Sequence, residues 1–309
     1  MAILFSIILP MFNRESLIKR AINSCLTQSH NSFEVIVVDD RSTDNSVAVV
    51  QSISDNRLTL IKHEFNQGVG PARNSGIAKA KGMWIICLDS DDELVSGALK
   101  LIEKCLNEID DNIKGLRFSC ILDDRRISPS PALSVEIWDF PAYLKWIDRV
   151  RLGLQETIPV VRKETFLTCQ YPTSRALEVS YHLSFASQFL TKTYPYAVRL
   201  YHSDAVNQIT KGNADYLLIS ASDQLRSIEC ILHKHGAQMQ VHSPESYREM
   251  LGGLVSLSLI ARQRLKGIRY FNAYFHSYGL NIKMIAILVL GVISNKLLIS
   301  AKLLMMRSQ

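Results

Sequence analysis

The first 90 residues of the chain alternate short apolar runs with stretches in which apolar residues recur at helical spacing. The apolar runs occupy residues 3–9, 33–38, 58–62 and 83–88. Short runs rich in β-branched residues are typical of buried strands that are covered on both faces. Between the first two runs, Leu17, Ala21 and Cys25 share one helix face. The alternation predicts an α/β fold in which a mainly parallel sheet carries helices on both faces.

Polar clusters follow three of these four predicted strands directly. They occupy residues 10–15, 39–40 and 89–92. In parallel α/β sheets, ligands bind beyond the carboxyl ends of the strands, so this edge is the predicted binding site. A dinucleotide-binding Rossmann domain is disfavoured, because the turn after the first strand has no glycine that would let the backbone approach a pyrophosphate.

Beyond residue 96 the pattern is less regular. Helical spacing predicts helices over residues 138–151, 178–190, 217–233 and 244–265. A short β-branched run at 158–161 predicts one more strand, and a Ser/Pro stretch at 128–131 predicts a surface loop. The sequence therefore predicts a C-terminal helical extension to the α/β part.

The charge of the chain is distributed unevenly. The sequence has 35 Lys and Arg residues against 29 Asp and Glu residues, a formal net charge of +6. No acidic residue follows Glu249, whereas eight basic residues do, so residues 1–249 carry 27 basic and 29 acidic side chains. A near-neutral body with a basic tail excludes a uniformly basic surface, and we expect no nucleic-acid partner.

The basic tail is also apolar and aromatic. Five Tyr and Phe residues crowd into residues 270–278, and residues 280–306 are strongly apolar. The uninterrupted part, 284–294, is about half of the ~20 residues that a spanning helix needs, and a lysine near the centre of a span would be costly. The composition favours a helix lying on an anionic membrane surface. The alternatives are a helix packed on the body or a helix pair at a dimer interface.

The cysteines and the N-terminus bear on the compartment. The six cysteines are scattered, with no Cys-x-x-Cys pair, which predicts buried, reduced thiols in a cytosolic protein. The apolar start of the chain lacks a positive flank and a cleavage site, so it is interpreted as a first strand and not as a signal peptide.

The acidic strand ends suggest metal chemistry. Asp89 and Asp91 place carboxylates where a divalent cation can be held by one or two protein oxygens, with water and a diphosphate completing the shell. Such a cation stabilises negative charge on a departing nucleoside diphosphate. Each acidic pair taken alone is also typical of a solvated turn or a helix cap, and the order of the motifs decides between these interpretations.

Four segments in order resemble the successive motifs of family 2 glycosyltransferases. They are residues 6–15, residues 37–44, residues 66–68 with 72–76, and residues 88–92. The resemblance is dense over the first 95 residues and implies the GT-A (nucleotide-diphospho-sugar transferase) fold, with inversion at the anomeric carbon. Arg41 departs from the pattern, because the family usually has glycine after the paired aspartates.

The resemblance implies six residues that bind the nucleotide-sugar. Those that would line the base and ribose pocket are Pro10, Phe12 and Glu15. The others are Asp40, which would contact the uracil or its counterpart, Arg73, which would lie near the donor, and Asp89, which would face the ribose or the sugar.

The metal and the catalytic base follow from the same resemblance. Asp91 would be the direct ligand of Mn²⁺ or Mg²⁺, and His202 falls in a segment whose histidine approaches the metal or the diphosphate, although a structural histidine is as consistent with the sequence. The family's Glu-Asp pair falls at Glu178 and Val179, so Glu178 is the predicted general base.

Glu178 also suits the start of a helix, where a carboxylate favours the helix dipole. Alternative carboxylates nearby are Glu156 and Glu164.

The resemblance implies a metal-dependent hexosyl- or N-acetylhexosaminyltransferase of class EC 2.4 that uses a nucleotide donor, UDP-linked, and a lipid-linked glycan acceptor. The expected pathway is a bacterial surface polysaccharide such as O-antigen, at the cytoplasmic, inner face of the cell membrane. The alternatives are transfer to a polyprenyl phosphate and a catalytically silent nucleotide-sugar-binding or scaffold protein. A homodimer stays open.

Three parts are expected along the chain. Residues 1–95 would be the nucleotide-sugar-binding half, and residues 96–210 the acceptor-binding half of the same GT-A domain. Residues 211–309 would be helical, with the membrane-associating tail at about 280–306.

Overall fold

The computed structural model describes residues 3–151, 155–173, 178–204, 214–279, 281–294 and 296–301. The chain divides into two compact units. The first takes residues 1–174 and 181–206, and the second takes residues 175–180 and 207–309. The three-part division predicted from the sequence stays a prediction.

The four predicted strands all form in the first unit. They are β1 (Phe5–Met11), β2 (Phe33–Asp39), β3 (Leu58–Lys62) and β4 (Trp84–Cys87). They pair in parallel in the order β3-β2-β1-β4. Every residue of β1 and β2 is buried, as the unbroken apolar runs predicted.

The sheet continues beyond β4 with strands from the second half of the first unit. They are β5 (Glu93–Leu94), β6 (Ile113–Leu122), β7 (Ile127–Ser128), β8 (Ile137–Trp138), β9 (Thr157–Arg162) and β10 (Leu190–Tyr201). The order after β4 is β9-β6-β10-β5, with β6 and β10 parallel. β9 runs antiparallel to both β4 and β6. The start of β9 therefore lies at the edge where β4 and β6 end.

Helices cover both faces of this sheet. They are α1 (Ile18–Leu26), α2 (Ser46–Gln51), α3 (Val69–Lys79), α4 (Ala98–Leu106), α5 (Phe140–Val150) and α6 (Val179–Ala186). Successive strand residues point to opposite faces, so Ile7 packs in the cluster that contains α1 and α4. Ile8 packs on the other side with Ala72 and Ile77 of α3. The predicted α/β architecture is confirmed.

The second unit is helical, as predicted. Its helices are α7 (Ala214–His242), α8 (Pro244–Ile260), α9 (Arg264–Tyr278) and α10 (Ile282–Ile293). Leu254, Leu259, Tyr274 and Met284 belong to one buried cluster, so α10 packs against α8 and α9. Within the described ranges, no helix combines the length and apolar character needed to cross a membrane. Residues 280, 295 and 302–309 of the predicted tail lie outside the described residues.

The cysteines are all free thiols. Those that are buried are Cys25, Cys105, Cys120 and Cys169, whereas Cys87 is half-buried. The expectation of burial is wrong for Cys230, which is exposed. The packed face of α7 runs through Leu225 and Ile228, and Cys230 lies on the opposite side of that helix.

Candidate active site

The residues that follow β1 and β2 meet at the carboxyl edge of the sheet. Pro10 is buried and pairs with Val38 of β2. Phe12 comes just after β1, and 44% of its surface is exposed, so its ring is available for stacking. Glu15 is exposed, and its Oε2 accepts a hydrogen bond from the Asn45 amide at 2.9 Å. The three residues predicted to line the base and ribose pocket thus lie on one continuous segment of this edge.

Asp40 is buried and organises the loop before α3. Its Oδ1 accepts a hydrogen bond from the Gln67 amide at 2.9 Å, and its Oδ2 accepts one from the Gly68 amide at 2.7 Å. Nδ1 of His63 lies 2.8 Å from Oδ1. The carboxylate therefore already has three protein partners, which is a structural role that the local sequence pattern did not predict.

Arg41, which departs from the family motif, has a left-handed backbone conformation with φ at +70°. Glycine adopts this region without steric cost, whereas the Cβ of any other residue is crowded there. The turn after β2 therefore has the shape that the usual glycine would favour, and Arg41 adopts it under strain.

Asp89 is held between two arginines. Arg73 donates from Nη2 to Oδ1 of Asp89 at 2.8 Å, and Arg199 donates from Nη2 to Oδ2 at 3.3 Å. The buried guanidinium of Arg73 also lies over the ring of Tyr171, 5.0 Å from its centroid. Arg73 and Asp89, both predicted at the donor site, are thus brought into direct contact.

Asp91 is mostly buried beside a second basic pair. Its carboxylate lies 3.7 Å from Nη2 of Arg14, and its carbonyl oxygen accepts a hydrogen bond from Arg20 at 2.5 Å. Burial and the nearby Asp89 charge raise the pKa of Asp91, while the Arg14 guanidinium opposes that shift. The Asp91 carboxylate therefore pairs weakly with protein cations and would be stabilised by an added positive charge.

Asp92 and Arg199 form an enclosed ion pair that the sequence did not predict. Nε of Arg199 donates to Oδ2 of Asp92 at 2.7 Å, and Asp92 is 1% exposed. Burial raises the pKa of Asp92, and the Arg199 guanidinium opposes that shift. Burial by itself lowers the pKa of Arg199, but the neighbouring carboxylates outweigh it and raise that pKa, so the guanidinium stays charged. Arg199 lies in the same segment as His202, but its carboxylate partners are distant in the chain, so the local sequence did not predict this pair.

His202 contacts other carboxylates than those of the Asp-x-Asp pair. Its Nδ1 lies 2.9 Å from Asp123 Oδ1, and its Nε2 lies 2.9 Å from Glu93 Oε1. Its amide donates to Oδ1 of Asp92 at 2.8 Å. The structure places His202 next to the acidic segment, with both ring nitrogens engaged, and its role as a metal ligand stays a prediction.

The three candidates for the general base lie in different places. Glu178 is exposed, immediately before α6, and belongs to the second unit. Glu164 is exposed after the far end of β9 and pairs with Lys114 at 2.7 Å. Glu156 immediately precedes β9, and its Oε2 lies 3.7 Å from Nη1 of Arg199. Glu156 therefore lies at the same edge of the sheet as Asp89.

The chemistry of Asp91 fits a hard divalent cation. Mg²⁺ is typically bound through one or two carboxylates while substrate phosphates and water supply the other oxygens. Across the part of the chain that the structure describes, no three His, Cys, Asp or Glu side chains group as a ready-made metal site. Asp91 is mostly buried, lies near Asp89 and is weakly paired. It therefore suits a site in which oxygens of the donor complete the coordination shell of the metal.

Comparison with known proteins agrees with this geometry. A β-1,3-glucosyltransferase of Campylobacter jejuni, named for GalNAc(5)-diNAcBac-PP-undecaprenol, is 39% identical over 106 residues, 33% of this chain and 34% of that protein. WfgD of Escherichia coli, a UDP-Glc:alpha-D-GlcNAc-diphosphoundecaprenol beta-1,3-glucosyltransferase, is 39% identical over 98 residues, 32% of this chain and 39% of that protein. The chain thus spans little more than a third of the length of these relatives.

A solved structure and a family model extend the likeness. The mannosyltransferase PcManGT from Pyrobaculum calidifontis, in complex with GDP-Man and Mn²⁺, has a TM-score of 0.55 at 18% identity, covering 93% of this chain and 79% of that one. This likeness shows the GT-A fold. The family model "Glycosyl transferase family 2" matches residues 6–165, more than half of the chain. The chain therefore belongs to glycosyl transferase family 2.

Proposed function

We propose that the chain transfers a sugar from a UDP-linked donor to a lipid-linked glycan in bacterial surface-polysaccharide biosynthesis. One observation carries the proposal: Asp89 and Asp91 follow a central strand at the edge where Phe12 is exposed, within the region that the family model matches. The names of the Campylobacter and Escherichia relatives, which act on undecaprenyl-linked acceptors, support the lipid-linked substrate.

In this proposal the donor lies along the carboxyl edge of the sheet. Phe12 stacks on the base, and Pro10 and Glu15 shape the base and ribose pocket, beside the loop that Asp40 organises. Exposed aromatic rings suit this task, since any nucleobase offers a face to stack on. Arg73 orients Asp89 toward the ribose or the sugar through their 2.8 Å contact.

Asp91 would hold Mn²⁺ or Mg²⁺, and the bound ion would neutralise the charge that collects on the diphosphate. The PcManGT complex with Mn²⁺ supports a divalent ion in this fold. His202 would help to fix this region, because its amide and ring join Asp92, Glu93 and Asp123. Glu178 stays a sequence-based prediction for the base.

The acceptor would meet the enzyme at a membrane surface. On α10, the exposed apolar residues are Ile282, Val289, Val292 and Ile293. Exposed basic residues on or near α9 and α10 are Arg264, Lys266, Arg269, Lys283 and Lys296. An apolar face flanked by cations suits the interface of an anionic bilayer. We therefore propose peripheral attachment to the inner face of the cell membrane.

Vesicle sedimentation tests this attachment. The double variant Ile282→Asn/Ile293→Asn should lose binding to vesicles that contain phosphatidylglycerol, while neutral vesicles bind neither protein. Val241→Asn is the matched control, because Val241 is 71% exposed on α7. Unchanged sedimentation of the double variant would contradict the proposed membrane face.

Donor turnover tests the proposed function itself. Purified protein is incubated with a panel of UDP-sugars, Mn²⁺ and undecaprenyl-diphosphate-linked acceptors, and release of UDP is measured. We expect glycan product with at least one donor. In Asp91→Asn, the rate of UDP release should fall by at least about 100-fold. Donor binding without turnover on any acceptor would support the catalytically silent alternative. Product formed on undecaprenyl phosphate itself would support the alternative in which the acceptor is a polyprenyl phosphate.

A further inference from the structure

Glu156 occupies a position that the strand order brings to the donor site. It immediately precedes β9, and β9 runs antiparallel to β4 and β6. In β9, Thr157 pairs with Ser119 of β6, and Val160 pairs with Ile86 of β4. The start of β9 therefore projects past the end of β4, which is followed by the Asp89 to Asp92 segment.

One guanidinium links Glu156 to that segment. Nη1 of Arg199 lies 3.7 Å from Oε2 of Glu156, and Nη2 lies 3.3 Å from Oδ2 of Asp89. The other carboxylate on Arg199, that of Asp92, is only 1% exposed. The Glu156 side chain is 41% exposed, so a substrate hydroxyl can reach it from solvent. Of the three ion pairs that Arg199 forms with Asp89, Asp92 and Glu156, the one with Glu156 is the longest.

The other two candidates have weaker support: the position of Glu178 lacks the second carboxylate of the family's pair, and Glu164 lies at the opposite end of β9. Val179 replaces the aspartate of the family's acidic pair, which removes a carboxylate from that position. Glu164 lies beyond the other end of β9, and a strand of six residues separates the two glutamates by about 20 Å. Because the donor-site residues follow the carboxyl ends of β1, β2 and β4, Glu164 lies at the wrong edge of the sheet.

We propose that Glu156 is the general base of the transfer reaction and that Arg199 is its positioning residue. The inference rests on the proposed function. Glu156 accepts the proton of the acceptor hydroxyl as that oxygen forms a bond to the anomeric carbon. The bond from this carbon to the diphosphate oxygen breaks in the same step, and the nucleoside diphosphate leaves with the electron pair. Asp89, on the other arm of Arg199, stays on the donor side.

The test compares the variants Glu156→Gln, Glu164→Gln and Glu178→Gln under saturating donor and acceptor. We expect Glu156→Gln to lower kcat by about 10²–10⁴-fold, the usual contribution of a general base. The Kd for UDP-sugar, measured by calorimetry, and the Tm should stay at the wild-type values. Glu164→Gln is the matched control, with wild-type kcat. In the residual activity of Glu156→Gln, the acidic limb of the pH profile of kcat should disappear.

A second pair of variants separates positioning from structure. Arg199→Gln removes a positive charge beside Glu156, so the acidic limb of kcat should move to higher pH. Arg199→Lys restores the charge and should return that limb toward the wild-type position. If Arg199→Gln does not fold, Arg199→Lys alone tests the same point. We then expect a lower kcat, with the acidic limb of its pH profile at the wild-type position.

Several outcomes overturn the inference. Wild-type kcat in Glu156→Gln, or a loss of kcat in Glu178→Gln alone, rules out Glu156 as the base. Loss of UDP-sugar binding in Glu156→Gln would make it a donor-site residue instead. Failure of the wild-type protein to transfer any sugar would overturn the proposed function, and this inference with it.

Discussion

Arg199 and Asp92 form the most enclosed ion pair in the acidic segment, with Nε of Arg199 2.7 Å from Oδ2 of Asp92. The side chains are 8% and 1% exposed. Water has little access to either group, so the charge of each is balanced mainly by the other. The pair fixes β10 against the segment that carries Asp89 and Asp91, and it therefore determines the shape of the site as well as its charge.

Removing the cation should be costly. We expect Arg199→Met to lower the free energy of unfolding by about 3–5 kcal/mol, because it leaves the Asp92 carboxylate buried and unpaired. Urea denaturation measures the change. Adding Asp92→Asn to this variant should recover part of the loss. Arg126→Met is the control: its pair with Asp124 is mostly exposed, so the loss should be much smaller. Equal losses in both variants would contradict this account.

Arg41→Gly should stabilise the protein. The native φ of +70° is strained for arginine and free for glycine, although glycine also adds entropy to the unfolded chain. The expected net gain in the free energy of unfolding is about 0.5–1 kcal/mol. Chemical denaturation checks it, with Arg41→Ala as control, since alanine removes the side chain but keeps the strained Cβ. A gain of the same size in Arg41→Ala would assign the effect to charge.

Asp40→Asn should destabilise the loop before α3. The carboxylate accepts hydrogen bonds from the Gln67 and Gly68 amides through different oxygens, and an asparagine can accept through only one. Leaving a partly buried amide unpaired should cost about 1 kcal/mol in the free energy of unfolding. Asp111→Asn, at a side chain that is 94% exposed, makes the same charge change and should cost little. Equal stability of the two variants would show that the loop does not need both oxygens.

Asp55 gives a prediction for acid. Hydrogen bonds from the Arg57 side chain lower the pKa of Asp55 from 3.8 to about 2. Because the folded pKa lies below the unfolded one, this stabilisation is present above about pH 4 and is lost as the pH falls through about 2. At pH 6 the free energy of unfolding of the wild type should exceed that of Asp55→Asn by less than about 1 kcal/mol. This difference should shrink between pH 4 and pH 2. Guanidinium titrations at several pH values measure it, and a constant difference would contradict the linkage.

The sequence predicted the first half of the sheet well, because each buried parallel strand is an unbroken apolar run of its own. The strand β10 was not predicted. Its residues mix buried Thr193 and Tyr194 with exposed Tyr196, and its pairing with β6 connects residues that lie far apart in the chain. The direction of β9 was open for the same reason, since it depends on partners and not on local pattern.

The candidate site shows the same limit. Asp89 and Arg73 stand in local motifs, and the structure brings them into contact. Arg199 lies in the segment that contains His202, but only tertiary structure gives it three carboxylate partners. The bonds from Asp40 to amides 27 and 28 residues later are likewise set by folding.

The bonds of Asp40 also tie the end of β2 to the start of α3. The amides of Gln67 and Gly68 lead into the first turn of α3, and Arg73 lies on the same helix. Arg73 in turn donates to Asp89, so α3 connects the end of β2 to the segment after β4 through hydrogen bonds at both places.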